Sequence, residues 1–312
     1  MLDKLKKIKI PGDTIVIPMF IGCTIASIFP QAFEIGGFTT AIIGGTGPLV
    51  GVFMLFIGAS LSFKNAPKAL FRGGVIISVK IAVSVIIGLS VAKFMGDSLF
   101  GLSSLAIIGA MSVANNALYS GIMSSYGDEI DQGAVAMTTI SVGPTVTMIA
   151  LSSSGQANIP IMQIIGSILP LVIGMILGNV SPFLKKHLTS GITPIIIILG
   201  FVLGANMNFK QLIAGGFSGI LLGLIVAIVG GFFGILADRL TGGTGVAGAG
   251  INSTAASAVA TPASMAAIDP TLATSAAIAT PQIAASVIVT SLLTPFTTSL
   301  VYKWNQKKLT SK

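Results

Sequence analysis

Charged residues are scarce in this 312-residue chain, where they make up 8% of the sequence, against about 25% in soluble globular domains. Hydrophobic residues make up 53% of the chain, and its mean hydropathy is +0.96. A chain with so few charges cannot cover itself with a hydrated surface, which excludes an ordinary soluble domain. It must be surrounded mainly by lipid, and the sequence therefore predicts an all-α membrane protein.

Cysteine and histidine each occur once, as Cys23 and His187. A lone cysteine excludes an intrachain disulfide and a thiolate metal site, and His187 follows two lysines in a predicted loop. No serine–histidine, paired-aspartate or histidine–glutamate arrangement lies within the apolar runs, so we expect no enzyme activity, no metal and no cofactor. The chain also lacks the Gly-x-x-x-x-Gly-Lys-Ser/Thr loop that binds nucleotide phosphates, which excludes ATP-driven transport by this chain alone.

Acidic residues are outnumbered, with nine against 17 lysines and arginines and a net charge of +8. The basic residues stand in short clusters between apolar runs, a pattern that orients membrane loops and does not indicate nucleic-acid binding. With the N-terminus inside, 14 of them fall in cytoplasmic segments, Lys93 and Lys210 fall outside, and Lys80 falls within a span. This asymmetry predicts a multi-pass protein of the bacterial inner membrane with both termini in the cytoplasm.

Apolar runs of roughly 20 residues, the length that crosses a hydrocarbon core, occur about ten times. The predicted spans are 14–30, 45–62, 73–94, 101–126, 132–153, 159–182, 191–207, 211–237, 244–268 and 272–301. The first run follows four lysines, as in a signal peptide, but no clear small-x-small cleavage site comes after it. We therefore expect this run to be retained as the first helix.

An internal repeat relates the two halves of the chain. Gly58–Lys64 (GASLSFK) returns 146 residues later as Gly204–Lys210 (GANMNFK), and the same offset superposes two prolines. The two segments end at lysines that the charge distribution places on opposite sides of the membrane. Chance similarity between apolar segments does not readily explain this polar pattern. The sequence thus predicts two inverted five-helix repeats, residues 1–155 and 156–312, an arrangement typical of secondary transporters.

Two predicted spans, 101–126 and 244–268, contain segments unusually rich in polar and small residues, namely residues 109–121 in the first half and 248–262 in the second. Each is the fourth element of its half, and Asn115 and Asn116 lie at mid-membrane in the first. Buried amides are costly unless protein, water or a ligand pairs with them. We therefore predict discontinuous fourth and ninth helices that bind substrate, although hydrogen bonds between packed helices would explain the same residues.

The candidate site combines residues from these segments and from their neighbours. The predicted substrate-binding residues are Lys80, Ser112, Asn115, Asn116, Tyr119, Asn252, Thr254 and Gln282, and the predicted ion-coupling residues are Lys80, Ser141 and Thr280. Ser112, Asn116 and Tyr119 are spaced i, i+4 and i+7, so they share a face if that stretch is helical. Ser141, Thr280 and Gln282 come from the last span of each half, where a proline within the run weakens the helix.

Lys80 is the only basic residue far from the ends of a predicted span, and an intramembrane charge is a functional hypothesis by default. Four roles stay open: it pairs with a substrate carboxylate, carries the coupling proton, extends its ammonium group to the nearer interface, or forms a purely structural pair. All nine acids fall in predicted loops or near span ends, so we expect no buried carboxylate and no cationic substrate. Neutral oxygen ligands would still suit sodium as the coupling ion.

Six segments, in order along the chain, resemble those of one known family. They are Lys9–Gly12, Gly58–Phe63, the span around Lys80, Asn115–Tyr119, Ser141–Pro144 and Gly242–Pro262. The family is that of the 2-keto-3-deoxygluconate permeases, which is similar in fold to the bile acid:sodium symporters. The resemblance implies a panel domain (helices 1, 2, 6 and 7) and a core domain (helices 3, 4, 5, 8, 9 and 10), in which the fourth and ninth helices cross. It also implies an elevator-like or rocking motion and proton-coupled uptake of 2-keto-3-deoxygluconate, a product of pectin breakdown.

Other functions of the same residues stay open. A different small organic anion with sodium coupling would use the same fold and site. A passive channel belongs to another class, but channels are usually built around a continuous polar stripe, which these spans lack. The partners that we expect are a small sugar-acid substrate and the lipid bilayer, and the sequence leaves the oligomeric state open.

Overall fold

The computed structural model describes residues 13–138 and 161–310. Within these ranges the chain is built from helices joined by short turns, with no β-strand, which confirms the predicted all-α architecture. Most of the predicted span 132–153 lies outside the described residues, and so does the candidate ion-coupling residue Ser141.

The first half contains one long helix among shorter ones. Its helices are α1 (Asp13–Ile28), α2 (Gly37–Gly44), α3 (Thr46–Ser60), α4 (Ala66–Phe94), α5 (Ser104–Met111), α6 (Asn116–Tyr126), α7 (Glu129–Gly133) and α8 (Val135–Thr138). Helix α4 begins before the predicted start at residue 73, because a search for apolar runs leaves out Lys68 and Arg72. Pro67 stands in its first turn, where a helix tolerates the missing N–H group.

The second half ends in the longest helix. Its helices are α9 (Ile161–Val180), α10 (Pro182–Ser190), α11 (Ile192–Ala205), α12 (Phe209–Ile225), α13 (Gly231–Leu240), α14 (Val246–Gly250), α15 (Thr261–Ile268) and α16 (Ala273–Thr310). A π-helical turn, Val226–Gly230, joins α12 to α13, and a 3₁₀ turn, Ala256–Ala260, precedes α15.

Four helical segments of the described residues are long and apolar enough to cross a membrane. They are Ala66–Phe94, Pro182–Ala205, Phe209–Leu240 and Pro270–Lys307. Two bent pairs, α2 with α3 and α5 with α6, raise the number to six if each pair is one span. The ten spans therefore stay a prediction, although helices lie in every predicted range that the structure describes.

Helices α1 and α11 pack with their backbones in direct contact. A Cβ atom on Gly22 would lie 2.3 Å from the carbonyl oxygen of Phe201, and one on Gly204 would lie 1.8 Å from that of Met19. Since a real Cβ atom cannot approach a backbone oxygen so closely, both helices of this pair require glycine at the contact. Small residues at such positions are typical of packing between membrane helices.

Helices α3 and α9 form a second pair of this kind. A Cβ atom on Gly174 would lie 2.0 Å from the carbonyl oxygen of Leu55, and one on Gly58 would lie 2.1 Å from that of Leu171. Gly58 and Gly204 are the first residues of the two repeated sequence segments. The repeated residue thus makes the same kind of backbone contact in both helix pairs.

Helices α5 and α6 are bent by 45° relative to each other at a break of four residues, 112–115. The break has a local cause, because the side chain of Asn115 accepts a hydrogen bond from the backbone N–H of Leu118 (3.0 Å) and so forms the N-cap of α6. The predicted common face of Ser112, Asn116 and Tyr119 is therefore wrong, since Ser112 ends α5 while the other two residues belong to α6.

The corresponding element of the second half is interrupted as well. Helix α14 ends at Gly250, residues 251–255 are not helical, and the chain continues through Ala256–Ala260 into α15. Helix α6 packs against α14, while α5 packs against Ala256–Ala260 and α15. The two interrupted elements therefore lie side by side. The part before the break of each element packs against the part after the break of the other.

Helix α16 packs along α12 and contacts both interrupted elements. The close approach to α12 occurs at Gly215, Gly219 and Gly223, where an added Cβ atom would lie within 2.7 Å of the Cβ atom of Ala285 or Val289. This contact holds the buried face of α16 against the break at residues 251–255. The hydroxyl groups of that face therefore become part of the candidate site.

Candidate substrate and coupling site

Lys80 on α4 is buried inside the protein, with 3% of its surface exposed. Its ammonium nitrogen lies 3.4 Å from the side-chain oxygen of Asn252, within the break of the second half. A side chain that extended to the membrane interface would be exposed, so that alternative is excluded. Among residues 13–138 and 161–310, no carboxylate oxygen lies within 4.0 Å of this ammonium group.

Asn252 is held in place by four neighbouring elements. Its amide nitrogen donates to the carbonyl oxygen of Gly248 (2.6 Å), and its backbone carbonyl oxygen accepts from the hydroxyl of Thr294 (3.0 Å). Its side chain also packs on α13 and the π-helical turn, since a Cβ atom on Gly234 would lie 2.2 Å from its amide nitrogen and one on Gly230 would lie 2.7 Å from its amide oxygen. With its nitrogen engaged, the amide presents its oxygen to the lysine.

Buried hydroxyl groups of α16 bind the rest of this break. The hydroxyl of Thr290 accepts from the backbone N–H of Thr254 (3.0 Å), and the hydroxyl of Ser286 donates to that of Thr254 (3.2 Å). Sequence reasoning included Thr254 but missed Ser286, Thr290 and Thr294. These hydroxyls recur every four residues along the last predicted span, and this spacing places them on one helical face. The spacing could have identified them from the sequence.

Four buried polar atoms in or directly after the two breaks have no hydrogen-bond partner. They are Ser112 Oγ, Asn115 Nδ2, Asn116 Oδ1 and Ser253 Oγ. An unpaired buried polar group costs about 1–3 kcal/mol, so each of these atoms is a candidate to bind a ligand or a water molecule. They include both donors and acceptors, which suits a ligand with carbonyl and hydroxyl oxygens.

Tyr119 is fully buried on α6, but its hydroxyl faces away from the breaks. This hydroxyl donates to the backbone carbonyl oxygen of Asp131 at 2.6 Å. The ring packs near Gly250, where an added Cβ atom would lie 3.6 Å from ring atom Cδ2. Tyr119 therefore holds α6 against α7 and α14, and its hydroxyl is not among the groups that the breaks bring together.

Gln282 and Thr280 lie near the other end of α16 and apart from Asn252. The amide nitrogen of Gln282 donates to the carbonyl oxygen of Gly101 (2.8 Å), eight residues or about 12 Å of helix before Thr290. The hydroxyl of Thr280 donates to the carbonyl oxygen of Ala276 in its own helix (2.8 Å). The structure therefore does not bring these two residues to the pair formed by Lys80 and Asn252.

Arg72, Asp131 and Asp238 form a buried charge cluster that the sequence did not predict. Arg72 donates to Asp131 at 2.5 Å, and its Nε atom lies 3.5 Å from Asp238 Oδ1. Asp131 and Asp238 have 2% and 0% of their surface exposed. The expectation that no carboxylate is buried is therefore wrong. Both aspartates do lie near helix ends, but α4, α7 and α13 pack around those ends and remove them from solvent.

The buried charge cluster is connected to the lysine through one turn of α14. Asp238 accepts a hydrogen bond from the backbone N–H of Gly248 (3.2 Å), and the carbonyl oxygen of Gly248 accepts from the amide of Asn252 (2.6 Å). Asn252 in turn faces Lys80. A displacement of α14 would therefore change the surroundings of both the lysine and the two carboxylates. No group of three His, Cys, Asp or Glu side chains that could hold a metal ion occurs within the described part of the chain.

Comparison with known proteins shows which family this chain resembles. The family model described as 2-keto-3-deoxygluconate permease matches residues 3–307. The chain is 50% identical over 297 residues to 2-keto-3-deoxygluconate permease 1 of Salmonella typhimurium, covering 95% of this chain and 94% of that protein. It is 38% identical over 300 residues to the permease of that name from Pectobacterium carotovorum subsp. carotovorum, and 35% identical over 300 residues to the one from Xanthomonas euvesicatoria pv. vesicatoria, with 94% of each chain covered.

Proposed function

Because the chain belongs to the 2-keto-3-deoxygluconate permease family, we propose that it imports 2-keto-3-deoxygluconate by proton symport. Permeases move solutes across membranes, and the chain is accordingly an integral membrane transporter and not an enzyme. The relatives that share 50% and 35% of its residues are named for this substrate. The proposal extends their substrate to this chain and adds the coupling ion.

The observation that carries the proposal is the buried ammonium group of Lys80 beside Asn252. A buried cation without an anion nearby is unfavourable, and the single carboxylate of the substrate would supply the missing negative charge. The unpaired atoms of Ser112, Asn115 and Asn116 would bind its ketone and hydroxyl oxygens. In this arrangement the charged lysine binds the charged carboxylate, and neutral polar groups bind the neutral oxygens.

The transporter would consist of ten spans in two inverted repeats, residues 1–155 and 156–312. The support is a correspondence between the contacts of α1 with α11 and those of α9 with α3. The corresponding residues are Met19 and Leu171, Gly22 and Gly174, Leu55 and Phe201, and Gly58 and Gly204. The first two pairs are each separated by 152 residues and the last two by 146, as expected if one structural unit occurs twice.

The two halves would combine into a panel and a core. Helices α1, α2 with α3, α9 and α11, which the glycine contacts hold together, would form the panel. The remaining helices would form the core, and its movement against the panel would expose the breaks to each side of the bacterial inner membrane in turn. The distribution of lysine and arginine supports cytoplasmic termini.

The experiment is uptake of labelled 2-keto-3-deoxygluconate by the purified protein in liposomes, with proton and sodium gradients imposed separately. An inward proton gradient alone is expected to drive accumulation, whereas a sodium gradient at equal pH is not. A requirement for sodium would keep the substrate and replace the coupling ion. No uptake under either gradient, by protein that elutes as a monodisperse peak, would overturn the substrate assignment.

A further inference from the structure

Four charged side chains are buried in the described part of the chain, and their formal charges cancel. They are Arg72, Lys80, Asp131 and Asp238, with 8%, 3%, 2% and 0% of their surface exposed. Two carry a positive charge and two a negative charge when all are ionised. Interactions between charges are strong in surroundings of low dielectric constant. The buried charge cluster alone therefore has one net negative charge, which the positive charge of Lys80 balances.

A substrate carboxylate at Lys80 would neutralise the lysine and leave the net negative charge of the buried charge cluster without a counter-charge. An uncompensated buried charge is strongly unfavourable, so substrate binding favours the uptake of one positive charge nearby. The buried charge cluster offers two carboxylates to a single guanidinium group, and Asp238 Oδ1 makes no hydrogen bond although it is buried. One carboxylate can therefore accept a proton while the other keeps Arg72 paired.

We propose that Asp131, within the buried charge cluster, binds the coupling proton, and that one proton moves with each substrate anion so that transport is electroneutral. This inference rests on the proposed function and adds the proton site. The proton would come from water on the side to which the core is open and would bind a carboxylate oxygen of Asp131. It would return to water on the other side after the substrate leaves.

Asp131 is a better proton acceptor than Asp238 because of its neighbours. Asp238 and Asp131 each accept a hydrogen bond from a backbone N–H, that of Gly248 and that of Asp128 respectively. Asp131 differs in having a third carboxylate beside it, because Asp128 is the N-cap of the same helix and lies 3.8 Å from Arg72 Nη1. Asp131, which lies on α7 outside the candidate spans, has its pKa raised to about 6, first by burial and then by the negative charges of Asp128 and Asp238, against the opposing effect of Arg72.

The titratable groups around Asp131 come from four elements. Arg72 faces it from α4, Asp238 from α13, and Asp128 from the N-terminus of its own helix, while Tyr119 on α6 donates to its backbone carbonyl oxygen. Glu129, also on α7, is instead bound to the backbone N–H of Ser62 and to Asn65. The neighbouring elements α3, α8 and α14 contain no titratable residue.

The first test compares wild type with Asp131→Asn in liposomes, and Asp269→Asn, on an exposed turn, is the control. Wild type and control should accumulate substrate under a proton gradient and acidify the lumen. Asp131→Asn should keep exchange of internal for external substrate within about threefold of wild type and lose both proton-dependent activities. Proton-driven accumulation by Asp131→Asn would overturn the proton site and leave the transport function intact.

The second test needs no variant of the cluster. A membrane potential of 100 mV, set with potassium and valinomycin, should leave wild-type accumulation unchanged within about twofold, whereas one net charge per cycle would change it about 50-fold. Calorimetry in buffers of different ionisation enthalpy should show uptake of about one proton per substrate bound at pH 7.5. Dependence on potential, or binding without proton uptake, would overturn the inference. Wild-type protein that neither binds nor exchanges 2-keto-3-deoxygluconate would instead overturn the proposed function on which it rests.

Discussion

The ammonium group of Lys80 and the amide oxygen of Asn252 lie 3.4 Å apart although 172 residues separate them in the sequence. The contact joins a long, continuous helix of the first half to the non-helical break of the second. One glycine in the π-helical turn, one glycine on α13 and a bond to Gly248 fix the orientation of the amide. The lysine therefore meets a rigid acceptor in the second break, and the next residue along the chain, Ser253, has a buried hydroxyl without a hydrogen-bond partner.

Replacement of this lysine by an apolar side chain of similar length should weaken substrate binding. In Lys80→Met, the loss of one hydrogen bond between a charged group and a carboxylate corresponds to about 1.5–3 kcal/mol, or an increase in Kd of about 10- to 150-fold. Calorimetry with the detergent-solubilised protein measures the change. Lys93→Met, at the exposed end of the same helix, should bind as wild type does. Equal affinity of Lys80→Met and wild type would remove the lysine from the site.

The packing of Asn252 on α13 can be tested at a glycine. In Gly234→Ala, the new methyl group would overlap the Asn252 amide and the carbonyl oxygen of Gly248, and such overpacking costs about 1–3 kcal/mol. We expect a lower unfolding midpoint and a severe loss of uptake. Gly231→Ala, on the same helix, meets no atom within 4 Å and should retain both properties. Wild-type uptake by Gly234→Ala would show that the position of Asn252 is not critical.

The hydroxyl of Thr290 supports the second break by pairing with the backbone N–H of Thr254. Thr290→Val keeps the shape and leaves this N–H group buried and unpaired, which should lower the free energy of unfolding by about 1–3 kcal/mol. Thr297→Val removes a hydroxyl that bonds only to a carbonyl oxygen within its own helix, and it should change stability much less. Unfolding in detergent with increasing denaturant measures both. A smaller effect for Thr290→Val than for Thr297→Val would contradict this role.

The broken elements and Lys80 could be predicted because their signals are local. Polar and small residues that interrupt an apolar run, or a charge within one, are visible in any short window of sequence. The structure then showed that Asn115 begins a new helix as its N-cap, an effect that periodicity alone does not reveal. Periodicity assumes one continuous helix, and for that reason the proposed common face of Ser112, Asn116 and Tyr119 was wrong.

The buried charge cluster could not be predicted, because its burial depends on tertiary packing. Arg72, Asp131 and Asp238 come from three helices and stand near helix ends, where charged residues are usually in water. Their desolvation arises from neighbouring helices that the sequence does not identify as neighbours. The positions of Gln282 and Thr280 relative to Asn252 could not be predicted for a related reason, because they depend on where the second break packs against α16.

The equivalence of the two glycine-mediated helix pairs makes a further prediction. Gly58→Ala and Gly204→Ala would each place a methyl group within 2.1 Å of a backbone carbonyl oxygen, which a helix can relieve only by moving apart from its partner. We expect both variants to lose a similar amount of thermal stability in detergent. Gly51→Ala, on the same helix as Gly58 but with no atom within 4 Å, should be unaffected. Loss of stability in only one of the two variants would contradict the proposed equivalence of the halves.

The raised pKa of Asp131 predicts how stability depends on pH. Its pKa is about 6 in the folded protein and about 3.9 in an unfolded chain, so the folded state binds more protons between these values. The contribution of Asp131 to stability therefore falls as pH rises from about 4 to 6 and is constant above that range.

The measurement is the difference in unfolding temperature between wild type and Asp131→Asn, taken from pH 4.5 to 7 in detergent. Wild type should lose stability relative to the variant as pH rises to about 6. Asp269→Asn is the reference, because bonds from Thr271 lower the pKa of Asp269 in the folded protein, and an aspartate in an unfolded chain, with a pKa of about 3.9, is also mostly ionised across this range. Its difference from wild type should therefore stay constant. If the difference for Asp131→Asn is also constant, Asp131 does not exchange a proton in this range, and the site of the coupling proton must lie elsewhere.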